Sequence, residues 1–209
     1  MNNVNKADSH ILEILETVEN NSEMTQRHLA TRLGVALGLV NSYLCRCVRK
    51  GYIKIHKVPA NRYLYYLTPK GFAEKSRLTA KYLSSSLEFY RRAGNSCSEL
   101  FRTCQVQGWK RVVLCGHSDL AEIALIRARE FELEVLGIFD PGQSVNQLCG
   151  SVVWRQFEQV PEYDAMVLTI LKKPDLFLKE ISKSVPDTKR ILIPSILGMS
   201  KDFLSQANN

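Results

Sequence analysis

The chain has 209 residues, 45% of them hydrophobic and 23% charged, and its 28 Lys and Arg against 21 Asp and Glu give a net charge of +7. That is globular composition, with no window near the roughly 18 consecutive apolar residues of a membrane span and no apolar run behind the polar start MNNVNKADSH, so a cytoplasmic protein without a membrane partner is expected. The cysteines Cys45, Cys47, Cys97, Cys104, Cys115 and Cys149 form no CxxC and have no His at zinc-ligand spacing, which reads as buried or neutral thiols and no metal site.

The charge is unevenly spread. Residues 1–96 carry a balance of +8 and residues 97–209 a balance of −1. Between Glu23 and Glu74 there is no acid, yet nine cations fall there: Arg27, Arg32, Arg46, Arg49, Lys50, Lys54, Lys57, Arg62 and Lys70. A stretch of this kind is the footprint of a polyanion, because each phosphate it neutralises releases counterions.

In chain order, Ser9 is placed to cap a first helix whose Ile11, Ile14, Leu15 and Val18 fall at helical spacing, with Glu13, Glu16 and Glu19 toward solvent. Thr25 is a good N-cap for a second helix, Met24 and Leu29 suit a hydrophobic staple, and Gly34 makes the turn that follows Leu33. A third helix runs to about Lys50, with Gly51 at its C-terminal cap. On it Leu37, Val40, Leu44, Cys47 and Val48 gather on one side, whereas Gly38, Ser42, Cys45, Arg46 and Arg49, flanked by Leu39 and Asn41, form a small, polar and cationic opposite face. Two short helices, a glycine turn and a basic third helix spell helix-turn-helix. The β-rich runs around Pro59-Ala60-Asn61-Arg62 then predict a hairpin from Tyr52 to Thr68, the wing of a winged helix, with Lys54, Lys57 and Arg62 projecting to clamp phosphates.

The segments "MTQRHLATRLGVALGLVNSYLCRCVRKGYIKI" and "YLYYLTPKGFAEKSRLTAKYL", over about residues 10–92, resemble the short MarR-type winged-helix regulators associated with exopolysaccharide gene clusters. The resemblance implies that Leu37, Gly38, Asn41, Ser42 and Arg46 read double-stranded DNA. Arg27, Arg49, Lys54, Lys57 and Arg62 complete the candidate interface. Two departures stand out: a shorter wing tip, and Ala36 where a capping Ser is usual, a change worth about 1 kcal/mol at the helix start.

Thr68 and Pro69 open a helix to about Arg92, whose Phe72, Leu83, Leu87 and Tyr90 offer a stripe for a homodimer. Gly94-Asn95 is expected to end it, and Ser96 with Glu99 to form a capping box for a further helix.

"KRVVLCGHSDLAEIALIRAREFELEVLGIFDPG" then reads as a strand, Gly116, a helix, and a second strand ending at Asp140, a βαβ unit. Further strands near 151–154, 164–171 and 189–193, and a helix from Asp175, make five strands of a half-Rossmann sheet. Ligands of such sheets bind beyond the C-terminal strand ends, which selects Gly116, His117, Ser118, Asp140, Thr169, Lys172 and Ser195. Of the dinucleotide fingerprint G-x-G-x-x-G, Gly116 remains, while Ser118 and Ala121 replace the other two glycines. The layout resembles the nucleotide-binding Rossmann modules of sugar acetyltransferases and of NADH-responsive repressors, which implies a nucleotide or sugar-nucleotide effector. A lone loop histidine, His117, with no partner specified by spacing does not make an enzyme.

The expectation is thus an α+β winged helix-turn-helix domain (1–70), a helical connector (71–108) and an α/β Rossmann-like domain with a parallel sheet (109–209). The expected function is transcriptional regulation of surface-polysaccharide or related genes. The alternatives are a nucleotide-dependent enzyme with a DNA-binding appendage, and a protein–protein adaptor whose Rossmann pocket is empty.

Overall fold

The structure is a computed structural model of the chain and describes residues 3–59, 62–183, 185 and 187–199. It divides into two compact units, residues 1–87 and 88–209.

In the first unit, α1 (Asn3–Asn20), α2 (Gln26–Leu33) and α3 (Leu37–Arg49) precede a hairpin of β1 (Ile53–Val58) and β2 (Arg62–Leu67). Their core joins Ile14, Leu15, Leu29, Val40, Leu44, Cys47, Ile53 and Tyr65. The Thr25 hydroxyl accepts the His28 N–H at 3.1 Å, and Met24 and Leu29 are both buried, as the capping and staple pattern predicts. Gly34 (φ +62°) closes α2 through N–H bonds from Gly34 to Thr31 O and from Val35 to Ala30 O. Gly51 (φ +74°) closes α3 in the same way, with Gly51 N–H to Val48 O and Tyr52 N–H to Cys47 O. Both are Schellman closures, which need a residue at positive φ where glycine carries no Cβ penalty.

Three expectations are corrected here. α1 begins at Asn3, so Ser9 lies inside the helix and caps nothing. Glu13 and Glu19 do not simply face water: Glu13 pairs with Arg32 at 3.4 Å and Glu19 with Lys75. The third correction concerns α4 (Pro69–Val106), which runs unbroken for 38 residues through Gly94-Asn95. A mid-helix glycine costs only about 1 kcal/mol relative to Ala, and packing outweighs it: a Cβ on Gly94 would lie 2.8 Å from Arg127 Nε. Ser96 is not a cap either; its hydroxyl accepts the Ile196 N–H at 3.1 Å and meets Ser195 Oγ at 3.0 Å. The unit boundary at Leu87/Glu88 falls within α4, so the stretch 71–108 belongs partly to each unit.

The second unit is a sheet between two helical layers. After α4 come β3 (Arg111–Cys115), α5 (Asp119–Ala128), β4 (Glu134–Phe139), β5 (Gln147–Leu148), β6 (Ser151–Trp154), β7 (Ala165–Leu168), α6 (Pro174–Ile181) and β8 (Ile191–Leu192). The strand order is β5-β6-β4-β3-β7-β8, parallel throughout except for the β5–β6 pair. The five parallel strands stand in the order of half a doubly wound fold, as expected; β5 is an added edge. Strand alternation sorts the two faces. Val112, Leu114 and Val167 pack with Cys97 and Phe101 of α4 and Leu120 and Ala124 of α5, whereas Val113, Cys115, Met166 and Leu168 pack with Leu178 and Ile181 of α6. Among the described residues no helix is long and apolar enough to cross a membrane.

Candidate nucleic-acid interface

Val40, Leu44 and Cys47 anchor α3 in the core, but Leu37 and Val48, which spacing assigns to the same buried side, are 44% and 36% exposed. The buried stripe is narrower than expected because α3 is held on one side by α1 and α2 and at its end by β1. Leu37, Gly38, Leu39, Asn41, Ser42, Cys45, Arg46, Val48 and Arg49 therefore all lie on the outer face. That face is a mixture of cations, hydrogen-bonding groups and apolar side chains, a combination suited to phosphates, base edges and thymine methyls together. A Cβ added at Gly38 meets nothing within 4 Å, so this glycine leaves a smooth spot rather than relieving a clash. Asn41 Oδ1 accepts the Cys45 thiol at 3.7 Å. The bond uses the Asn41 oxygen and leaves its amide N–H groups to donate. At the helix start Ala36 occupies the N-cap with extended backbone (φ −63°, ψ 145°) and no side-chain bond, as the substitution of the usual Ser predicts.

Arg27, Arg46, Arg49, Lys54, Lys57 and Arg62 are exposed, and among the described residues none of them has an acidic partner. Four of the six acids of this unit are occupied elsewhere: Glu13 on Arg32, Glu19 on Lys75, Asp8 on Lys81, and Glu74 on Arg77 through two bonds of 2.8 Å; Glu16 and Glu23 form no ion pair among the described residues. The Arg77 hydrogen bonds hold the Glu74 carboxyl below the usual carboxylate range. Lys50 and Lys70 sit over the Tyr52 ring at 5.7 and 5.8 Å, so Tyr52 steadies two further cations where α3 joins the wing.

The wing's cations do not share a face. Register pairs Lys54 with Tyr66 and Val58 with Arg62, which sets Lys54 and Arg62 on one side; Lys57 opposes Tyr63 on the side where Ile53 and Tyr65 enter the core. The expected joint projection of Lys54, Lys57 and Arg62 is corrected accordingly, since side chains in a strand alternate and Lys57 is an odd number of residues from Lys54. Ala60 and Asn61, at the tip, lie outside the described residues.

The second candidate site is the end of the sheet between β3 and β7, where the strand order reverses and ligands of this architecture bind. The structure brings Gly116, His117, Ser118, Asp140 and Thr169 together there and bonds them to one another. Asp140 accepts the His117 N–H at 2.7 Å and the Gly142 N–H at 3.0 Å. The Thr169 hydroxyl bonds Gly116 O at 2.6 Å, and Ser118 donates to Thr169 O while accepting the Leu120 N–H at 3.1 Å as the α5 N-cap. Gly116 (φ +102°) faces Ile170: a Cβ there would lie 2.5 Å from Ile170 Cβ and 2.8 Å from Ile170 N. Sequence reasoning missed Ile170, which carries no polar signal. Thr169 and Asp140 are buried, Lys172 is exposed beyond β7, and Ser195 turns to Ser96 rather than to this cluster.

Burial raises the thiols of Cys47 to about 11, Cys97 to about 12 and Cys104 to about 11, and it pushes Cys115 up as well. The buried-thiol reading holds for these four, while Cys45 and Cys149 are exposed. Among the described residues no group of three or more His, Cys, Asp or Glu is placed to hold a metal ion.

Residues 8–54 match the model of a family described as winged helix-turn-helix DNA-binding, which places such a domain on α1, α2, α3 and the start of β1. No curated protein matches the chain. Among solved structures, MepR, a transcription regulator of the Staphylococcus aureus multidrug efflux pump MepA, overlaps at 17% identity and TM-score 0.34, over 40% of this chain and 61% of that one. Human N-acetylserotonin methyltransferase in complex with SAM overlaps at 13% identity and TM-score 0.32, over 91% of this chain and 76% of that one. A structure described as PigF with SAH overlaps at 14% identity and TM-score 0.32, over 85% of this chain and 70% of that one. Scores of this size do not establish a shared fold.

Proposed function

We propose that the chain is a transcriptional regulator that reads double-stranded DNA with the outer face of α3, and that it acts on surface-polysaccharide or related genes, as the sequence resemblance implies. The observation that carries this reading is the set of cations on α2, α3 and the wing that have no acidic partner among the described residues, while four of the six acids of the first unit are tied to other bases. Arg46 is assigned to a base edge, and Arg27, Arg49, Lys54 and Arg62 to phosphates. Capture of genomic fragments, followed by footprinting, tests it: one preferred site per few thousand base pairs supports the reading, and indifference to sequence contradicts it.

The regulator is proposed to act as a homodimer through α4. Every residue from 80 to 88 is exposed, including Leu83 at 53% and Leu87 at 54%, and the uncharged side formed by Phe72, Leu83, Leu87 and Tyr90 is open along the helix. A solitary helical stretch of this length is marginal in water, and a second copy would bury it. Sedimentation at micromolar concentration should give about twice the 23.8 kDa chain mass.

For the second unit a nucleotide-type effector is the reading from layout, and it is taken as non-catalytic. The adaptor alternative has a specific observation in its favour: Ser118, Asp140 and Thr169 are bonded within the chain, and Ile170 packs closely against Gly116. Calorimetry with NADH, UDP-sugars and adenine nucleotides separates the two. A dissociation constant below about 1 mM, or roughly −4.1 kcal/mol, that is lost in Asp140→Ala supports the effector; silence across the panel supports the adaptor.

A further inference from the structure

Away from the β3–β7 crevice, the second unit holds a cavity of about 280 Å³ on the outer side of α5, bounded by β4 and the β5–β6 hairpin. Its wall is apolar, built from Leu125 and Ala128 of α5, Leu133, and Val135 of β4. Two charges lie along its α5 side, Arg129 and Glu122. They are seven residues apart, two helical turns and about 10 Å along the axis, so each addresses its own end of the cavity. Among the described residues neither has an ion-pair partner, whereas the neighbouring Arg127 is held by Glu130 at 2.8 Å. Cys149, an exposed thiol in the two-residue turn between β5 and β6, also lines it.

We propose that this cavity binds a small organic carboxylate with an apolar body, its head on Arg129 and its chain along Leu125, Ala128, Leu133 and Val135. Charge decides the orientation. An anion gains at the Arg129 end, where a charge-assisted bond to the guanidinium outweighs the weaker opposing dipole of the α5 C-terminus, and loses at the Glu122 end, so the head is drawn to one end and the uncharged tail lies between them. The apolar wall supplies the non-directional part of the affinity, and one charge-assisted hydrogen bond to the guanidinium supplies the selectivity. A neutral alcohol of equal length would gain only the first part, and an amine would meet repulsion from Arg129. This inference goes beyond the proposed DNA reading and does not depend on it.

Cys149 and Cys45 make the test internal to one protein. The full chain, without DNA, is treated with N-ethylmaleimide in the presence of octanoate, octanol or octylamine, and the alkylation rate of each cysteine is followed by peptide mass spectrometry. At about ten times its dissociation constant, octanoate should slow Cys149 about tenfold, the fraction of sites left open, and leave Cys45 unchanged. Arg129→Gln, an exposed substitution whose folding is checked by circular dichroism, should remove the protection. Equal protection by octanol or octylamine, protection that survives Arg129→Gln, or an unchanged Cys149 rate would each overturn the proposal. Because no outcome involves DNA, failure here leaves the reading of α3 untouched, and failure of DNA binding leaves this one standing.

Discussion

The outer face of α3 and the β3–β7 crevice are the two places that fold architecture marks for ligands, and they differ in how their polar groups are engaged. On α3 and the wing the cations lack acidic partners among the described residues, and Asn41 spends its oxygen on the neighbouring Cys45 thiol and keeps its amide donors. In the crevice, by contrast, Ser118, Asp140 and Thr169 bond the surrounding backbone, and the hydrophobic Ile170 meets the one glycine retained from the fingerprint. The two regions are distinguished by whether their hydrogen-bonding capacity is already engaged within the chain.

The largest expected effect comes from disturbing the β3–β7 crevice. Gly116→Ala puts a Cβ at φ +102° against both the side chain and the backbone of Ile170, so no rotamer relieves it. Overpacking and left-handed strain together should cost about 3 kcal/mol. Trp109 and Trp154 both belong to the second unit, so urea unfolding followed by tryptophan fluorescence reports that unit alone. A midpoint that stays put would mean that Gly116 and Ile170 are not in contact in solution.

Next in size, Arg46→Ala should weaken binding to a preferred site by about 1–3 kcal/mol and relax preference at one base pair, whereas Arg62→Ala should weaken all duplexes alike. Competition between specific and scrambled duplexes separates these outcomes. If both variants lose affinity uniformly, Arg46 contacts phosphate, and α3 lies across the groove rather than in it.

Ala36→Ser sharpens the comparison from the open side. The backbone at residue 36 is already extended as an N-cap requires, and the hydroxyl would accept an N–H at the start of α3. A gain of about 1 kcal/mol is expected, visible as a higher melting temperature for the helical signal.

The smallest effect is that of acid on both units. Arg77 holds the Glu74 carboxyl low, and the N–H groups of Arg111 and Lys110 do the same for Asp164. A carboxylate depressed in the folded state contributes stability in full above its unfolded pKa, and that stability is lost as pH falls through the folded value. Stability should therefore decline below about pH 4. Asp164→Asn should flatten that decline in the tryptophan signal alone, because its two N–H bonds lie in the second unit.

Most of the fold was legible because it rests on local signals. Thr25, Gly34 and Gly51 act as caps at the places their side chains or missing Cβ suit, and the alternation in RVVLC and AMVL sets both faces of the sheet. The misreadings come from contacts between residues distant in sequence. Gly94 reads as a helix end until Arg127 is seen lying against it, and Ser96 with Glu99 reads as a capping box until Ser195 and Ile196 take up the Ser96 hydroxyl. On α3, Leu37 and Val48 have core-like spacing, but their exposure depends on how little of the helix circumference α1, α2 and β1 cover. The cations of α3 and the wing stand out in sequence because charge sign survives there, whereas the approach of Ile170 to Gly116 does not, since Ile170 looks like any other strand-end residue.

The central claim is that the partnerless cations of the first unit are held for phosphates. The slope of log binding constant against log salt concentration, measured for the intact protein on one duplex between about 50 and 200 mM salt, tests it most directly, at roughly −0.9 per phosphate neutralised. The account predicts a steep negative slope that Arg62→Ala makes shallower by about one phosphate. A slope near zero, or one unchanged when Arg62 is removed, would contradict it.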